Sequence, residues 1–83
     1  MPRKPAKTRN LIRALQQMGF VASGRRGTHA IFRHAGTGLV ITLPTNRDEI
    51  PLVYLRSIER QIGNFDIVSD DELQKLLYSH GLS

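Results

Sequence analysis

A single histidine flanked by arginines is the part of this sequence best suited to chemistry. Residues 24–33 have the sequence GRRGTHAIFR. Imidazole can accept or donate a proton near neutral pH, and guanidinium groups hold phosphates through paired hydrogen bonds. Together they could cleave a phosphodiester, and RNA would supply its own nucleophile, the 2′-hydroxyl. We therefore predict that His29 is catalytic and that Arg25, Arg26 and Arg33 hold phosphate.

The turn before His29 favours the same chemistry. Gly24 and Gly27 bracket a predicted basic turn, in which the backbone N–H groups of Gly27 and Thr28 could approach a phosphate. No carboxylate lies nearby in the sequence to hold the imidazole in an ordinary salt bridge. The alternative is a structural histidine, which is the commoner role for a lone one.

Other catalytic chemistries have less support. Two-metal cleavage requires clustered carboxylates. The sequence offers them only at positions 48–49 and 70–72, and the second run fits a helix-capping sequence. His29 and His34 are five residues apart, which places them on opposite faces of a strand, and the chain has no cysteine. We therefore expect neither a metal nor another cofactor.

Basic charge is concentrated in the first part of the chain. The first 34 residues contain eight Lys and Arg and no Asp or Glu, whereas residues 35–83 contain four basic and seven acidic residues. This segregation indicates a polyanionic or acidic partner rather than a merely solvated surface. We expect Lys7, Arg9 and Arg13 to extend a track for the RNA backbone. No apolar run is long enough for a membrane span, so no membrane is expected. The lack of cysteine fits the cytoplasm.

The chain divides into a tail and a domain. Residues 1–7, with two prolines and three basic residues, are predicted to be a flexible basic tail, and residues 8–83 a single domain. Apolar residues at helical spacing begin after Thr8, the predicted N-cap, and end before Gly19, the predicted left-handed C-terminal cap.

The remaining pattern predicts an α+β fold. Strand-like runs occupy residues 20–23, 28–33 and 39–43, and the short turns between them favour an antiparallel meander. A helix follows between Pro51 and Gly63, and a capping-box sequence then begins a short C-terminal helix. We predict a three-stranded antiparallel sheet with two helices on one face, plus that terminal helix. The other sheet face stays free for function.

An ordered set of short motifs runs from about residue 11 to residue 63. The motifs are Leu11-Ile12, Leu15, Gly19-Phe20-Val21, Gly27-Thr28-His29, Ile31-Phe32-Arg33-His34, Leu43-Pro44 and Leu55-Arg56-Ser57-Ile58. This set resembles the HicA toxins, small ribonucleases of bacterial toxin–antitoxin pairs. The resemblance implies an α-β-β-β-α fold like that of double-stranded-RNA-binding domains, cleavage of mRNA, and an acidic HicB-like antitoxin. It also implies that His29, which matches the histidine of the family's Gly-Ser-His motif, is the catalytic residue.

Two positions depart from the family pattern. Thr28 stands where the family usually has serine, and it keeps the hydroxyl. Asn46 stands two residues after Pro44, where the family often has a second histidine. If that histidine assists catalysis in relatives, activity in this chain would be weaker.

Two other classes of function fit the same basic first half. One is a non-catalytic RNA-binding module of the same fold, which reads A-form shape without a general base. The other is a pure interaction partner that meets only an acidic protein. In the catalytic hypothesis, His29 acts without a metal as general base or general acid on a phosphodiester of mRNA.

Overall fold

The structure is a computed structural model, and it describes residues 5–78. The elements in chain order are β1 (Ala6–Lys7), α1 (Thr8–Gln17), β2 (Phe20–Arg26), β3 (His29–His34), β4 (Val40–Pro44), β5 (Glu49–Ile50), α2 (Leu52–Asn64) and α3 (Asp70–Tyr78). The prediction of an α+β fold with a three-stranded antiparallel sheet is confirmed, because β2, β3 and β4 pair in that order and antiparallel.

One face of the three-stranded sheet is covered by helices and forms a continuous core. Strand residues Phe20, Phe32 and Leu43 are buried there together with Leu15 of α1 and Leu55 of α2. Burial of large apolar side chains of this kind is the main source of folding free energy. The opposite face of the sheet, which we call the open face, is not covered by any helix of residues 5–78.

The C-terminal helix α3 packs against both α1 and α2. Its apolar residues Leu73, Leu76 and Leu77 are buried in the same core. Ser69 caps this helix, since its hydroxyl accepts the N–H of Glu72 at 3.2 Å, as the capping-box sequence predicts. The side chain of Glu59 on α2 accepts hydrogen bonds from α3, so the terminal helix is part of the domain.

The start of the domain differs in part from the predicted tail. Residues 1–4 lie outside the described residues, but Ala6 and Lys7 pair with Ile50 and Glu49 in a second, two-stranded sheet. Ala6 is buried with only 5% of its surface exposed. The pairing gives the segment just before α1 a fixed place beside β5.

The prediction that Thr8 is the N-cap of α1 is wrong. Thr8 is the first helical residue, and its hydroxyl donates to the carbonyl of Arg47 at 2.6 Å. Its N–H donates to the carbonyl of Asp48 at 2.8 Å. The threonine therefore ties the start of α1 to the loop before β5, because burial at this position favours a tertiary partner over a local cap.

The glycine at the other end of α1 behaves as predicted. Gly19 follows the helix with a φ of +98°, a conformation that side chains with a Cβ rarely adopt. Helix α2 runs to Asn64, one residue past the predicted stop at Gly63. No helix in the described part of the chain is long and apolar enough to cross a membrane.

Candidate active site

His29 is the first residue of β3, the central strand of the sheet. It pairs with Arg26 on β2 and with Pro44 on β4. Directly opposed residues on neighbouring antiparallel strands lie on one face, with Cβ atoms about 5 Å apart. The side chains of His29 and Arg26 therefore start from neighbouring positions on the open face, and both residues are exposed.

A β-bulge in β2 is responsible for this pairing. Ala22 opposes Phe32 but Gly24 opposes Ile31, so Ser23 is an extra residue in the strand. Without the extra residue, two-residue alternation would send Arg26 to the helix-covered face that Phe20 occupies. The bulge shifts the alternation by one and brings Arg26 to the side of His29.

The turn between β2 and β3 is shorter than the predicted basic turn. Arg25 and Arg26 belong to strand β2 rather than to a loop, and the turn into β3 consists of Gly27 and Thr28 alone. Gly27 has a φ of +60° and open space where a Cβ would be. The glycine is therefore needed for the backbone conformation and not for close packing.

Thr45 holds the start of β3 in place. Its N–H and its hydroxyl both donate to the carbonyl of Thr28, at 2.7 and 2.8 Å. These two hydrogen bonds connect the β2–β3 turn to the residue after β4. They fix the backbone just before His29. Asn46 follows directly and is exposed.

The imidazole of His29 is free within the described chain. It forms no hydrogen bond, ion pair or ring contact with any residue from 5 to 78. The residues described also contain no group of three or more His, Cys, Asp or Glu side chains placed to hold a metal ion. The ring is thus available to a ligand on the open face.

Arg25 lies on the other side of the sheet from Arg26. It opposes Ala30, whose face is the one that carries Phe32. There it lines an open groove of about 880 Å³ between the start of α1 and the loop before β5. We call this the basic groove; its lining residues are Lys7, Thr8, Arg9, Ile12, Arg25, Thr45, Arg47, Asp48 and Glu49.

The predicted phosphate ligands therefore fall into separate places. Arg26, with Gly27 and Thr28, stands beside His29, whereas Lys7, Arg9 and Arg25 line the basic groove. Arg13 is exposed on α1 and does not line the groove.

Arg33 is on the open face but far from His29. It is four residues further along β3, which corresponds to about 13 Å. Its guanidinium lies beside Gly38 in the β3–β4 hairpin, since Nη2 is 3.9 Å from the position of a Cβ on that glycine. The structure does not bring Arg33 to the candidate catalytic residue.

The groove contains one cation that the sequence interpretation missed. Arg47 joins Lys7, Arg9 and Arg25 there although it lies in the more acidic part of the chain, next to Asp48. The hydroxyl of Thr8 donates a hydrogen bond to the Arg47 carbonyl, and this bond holds the backbone of Arg47 beside the start of α1. No sequence signal of Arg47 itself distinguishes it from other exposed arginines.

A protein-family model matches most of this chain. A comparison with curated protein sequences gave no match. The family model for the HicA toxin of bacterial toxin–antitoxin systems matches residues 8–63, which is more than half of the chain and includes His29, Arg26 and the strands that pair them. The chain therefore belongs to the HicA toxin family.

Proposed function

We propose that this HicA-family protein is the toxin of a type II toxin–antitoxin pair and acts as a metal-independent endoribonuclease on mRNA. His29 is the catalytic residue and exchanges a proton with the scissile phosphodiester. The observation that carries the proposal is the position of His29: exposed at the start of β3, opposite Arg26, with no carboxylate bound to its ring within residues 5–78.

The chemistry requires two proton transfers. The 2′-hydroxyl loses its proton as its oxygen attacks phosphorus, and the bond from phosphorus to the 5′-oxygen breaks. The products are a 2′,3′-cyclic phosphate and a 5′-hydroxyl, which takes up a proton. His29 serves as the base for the first transfer or the acid for the second, a contribution of about 10²–10⁴-fold. One imidazole cannot fill both roles at once, so solvent or another group exchanges the second proton.

Arg26 is the best-placed cation for the reacting phosphate. Arg26 is directly opposed to His29 on the neighbouring strand. Its guanidinium can donate two hydrogen bonds to phosphate oxygens. Negative charge grows on these oxygens in the transition state, so a fixed donor there lowers the barrier. Backbone N–H groups in the Gly27–Thr28 turn are further candidate donors.

The remaining basic residues attract RNA more generally. Lys7, Arg9, Arg13, Arg25 and Arg33 are all exposed and supply the charge that a polyanionic backbone needs. The same charge suits an acidic HicB-like antitoxin, which would associate rapidly through electrostatic complementarity. Both the mRNA substrate and this antitoxin would place the protein in the cytoplasm.

A non-catalytic RNA-binding module is the alternative. Such a module also needs exposed cations on a small α+β domain, but it does not require a free imidazole beside an arginine. The free ring of His29 is the observation that favours catalysis.

Cleavage of a labelled single-stranded RNA in the presence of EDTA tests the proposal. Purified protein freed of antitoxin should cleave the RNA and leave a 2′,3′-cyclic phosphate, and folded His29→Ala should not. The matching oligonucleotide with 2′-deoxy sugars throughout should resist cleavage, since it lacks the 2′-hydroxyl nucleophile. Intact RNA in every lane, with RNA binding retained, would favour the binding module instead.

A further inference from the structure

We propose that the basic groove is a second RNA-binding subsite, and that a single RNA strand reaches it from the catalytic face by crossing the β2–β3 turn. This inference rests on the proposed function, because it concerns how the same RNA is held. The groove would take phosphates next to the one that reacts at His29.

The first argument is the state of the charges in the groove. Four cations, those of Lys7, Arg9, Arg25 and Arg47, line it together with two carboxylates, those of Asp48 and Glu49. None of the four cationic side chains has an ion-pair partner among residues 5–78. Like charges brought together without partners repel each other, and a polyanion bound in the groove would relieve that repulsion.

The second argument is the divergence of two adjacent arginines. Because of the bulge at Ser23, Arg26 points to the open face with His29 and Arg25 points to the opposite side. Two arginines directed to opposite faces of a sheet are best placed to hold different phosphates. A single RNA strand that binds both arginines therefore places different phosphates on the two faces of the sheet.

The third argument is the nature of the path between them. Gly27, the first of the two turn residues, has no side chain and has open space around the position of a Cβ, so an RNA backbone can pass close to the protein backbone there. Thr45 lines the groove and also anchors the Thr28 carbonyl, which makes groove and turn one continuous surface. A single strand can bend around this edge of the sheet, whereas an A-form duplex is too stiff and wide to do so.

Binding measured without catalysis is the decisive test. The probe is a labelled single-stranded RNA of about ten nucleotides, titrated against His29→Ala so that it stays intact. The double variant Arg25→Gln/Arg47→Gln, made in that background, should make the negative slope of log affinity against log salt shallower by about 1.4. This is the value for two lost phosphate contacts on a single strand. Arg60→Gln, which removes an exposed arginine on α2 outside both sites, is the matched control and should leave the slope unchanged.

Cleavage provides the second readout in the protein with His29 intact. Loss of the groove arginines should reduce kcat/KM for the ten-nucleotide RNA while cleavage of a dinucleotide, too short to reach the groove, stays the same. A salt slope equal to that of the Arg60→Gln control would overturn the inference. So would groove variants that lose binding only to an acidic antitoxin and keep full RNA affinity.

Failure of the proposed function gives a different result. If His29→Ala still cleaves, or no RNA is cleaved at all, the catalytic role is wrong. The binding slopes still decide whether the groove holds RNA, because they are measured without turnover.

Discussion

The two histidines of strand β3 are held in contrasting ways. His34 ends the strand on the helix-covered side, and its ring stacks at a tilt on Phe20 with centroids 5.1 Å apart. The N–H of Thr37 donates to its Nδ1 at 3.1 Å, and the Thr37 hydroxyl lies 2.9 Å from the same nitrogen. Positions for a Cβ on Gly19 and Gly36 each lie 3.2 Å from the ring, so the glycines leave just enough room for it.

His29, at the other end, has none of these contacts within the described residues. Both histidines lie on one six-residue strand, so the type of element does not separate them. The difference is the face. On the packed face an imidazole becomes a hydrogen-bonded part of a hairpin, and on the open face it remains available to a ligand. A catalytic assignment therefore depends on what surrounds each ring in three dimensions.

The largest expected effect is the loss of catalysis in His29→Ala. Cleavage should fall by about 10²–10⁴-fold because the general acid or base is gone. The free energy of unfolding should change by less than about 0.5 kcal/mol, since the exposed ring makes no contact that folding depends on. Single-turnover cleavage and urea denaturation measure the two quantities on the same preparation. A variant that keeps its activity, or one that loses it together with stability, would contradict the contrast.

Arg26→Gln should have the next largest effect. Removing a donor that stabilises charge on the reacting phosphate costs about 10²-fold in kcat. Arg33→Gln is the matched comparison: the same change on the same face, but beside the hairpin and about 13 Å from His29 along the strand. It should act on KM, by less than tenfold, and hardly on kcat. Equal losses of kcat in the two variants would mean that proximity to His29 is not what makes Arg26 important.

The sequence was enough to select His29 as a candidate, but not to tell which arginine lies beside it. A histidine after Gly-Thr at the start of an apolar run, with arginines nearby, is visible in the letters, and the strand order follows from short turns. The bulge at Ser23 leaves no comparable signal, because one extra residue in a strand changes neither composition nor length noticeably. Yet it decides that Arg26 rather than Arg25 lies on the same face as His29.

The start of the domain also depends on contacts that local sequence patterns do not reveal. Ala6 and Lys7 look like part of a tail because prolines and charges surround them. They are ordered by Glu49 and Ile50, more than forty residues away. Arg47 and Thr8 meet by the same long-range pairing. Local patterns predict elements, whereas contacts of this range depend on how the elements pack.

A pair of glycine substitutions tests how tightly the packed histidine is held. Gly27→Ala, at a φ of +60° with open space, should cost about 1 kcal/mol from the backbone conformation alone. Gly19→Ala, at a φ of +98°, also places a methyl group 3.2 Å from Nε2 of His34 and should cost about 2 kcal/mol or more. Urea denaturation gives both values, and equal losses would show that the His34 ring shifts freely.

His34→Ala should have a small effect on stability and none on the chemistry. The ring is half-buried and its partners Thr37 and Gly36 are exposed, so water can replace the lost hydrogen bond. We expect a loss of about 1 kcal/mol in the free energy of unfolding. This corresponds to a fall in Tm of about 4–8 °C for a domain of this size. Cleavage by the folded fraction should remain that of the wild type, because the ring faces away from Arg26 and His29. A folded His34→Ala protein without activity would mean that both histidines of the strand serve the reaction. Exposure on the open face would then not be sufficient to identify the catalytic histidine.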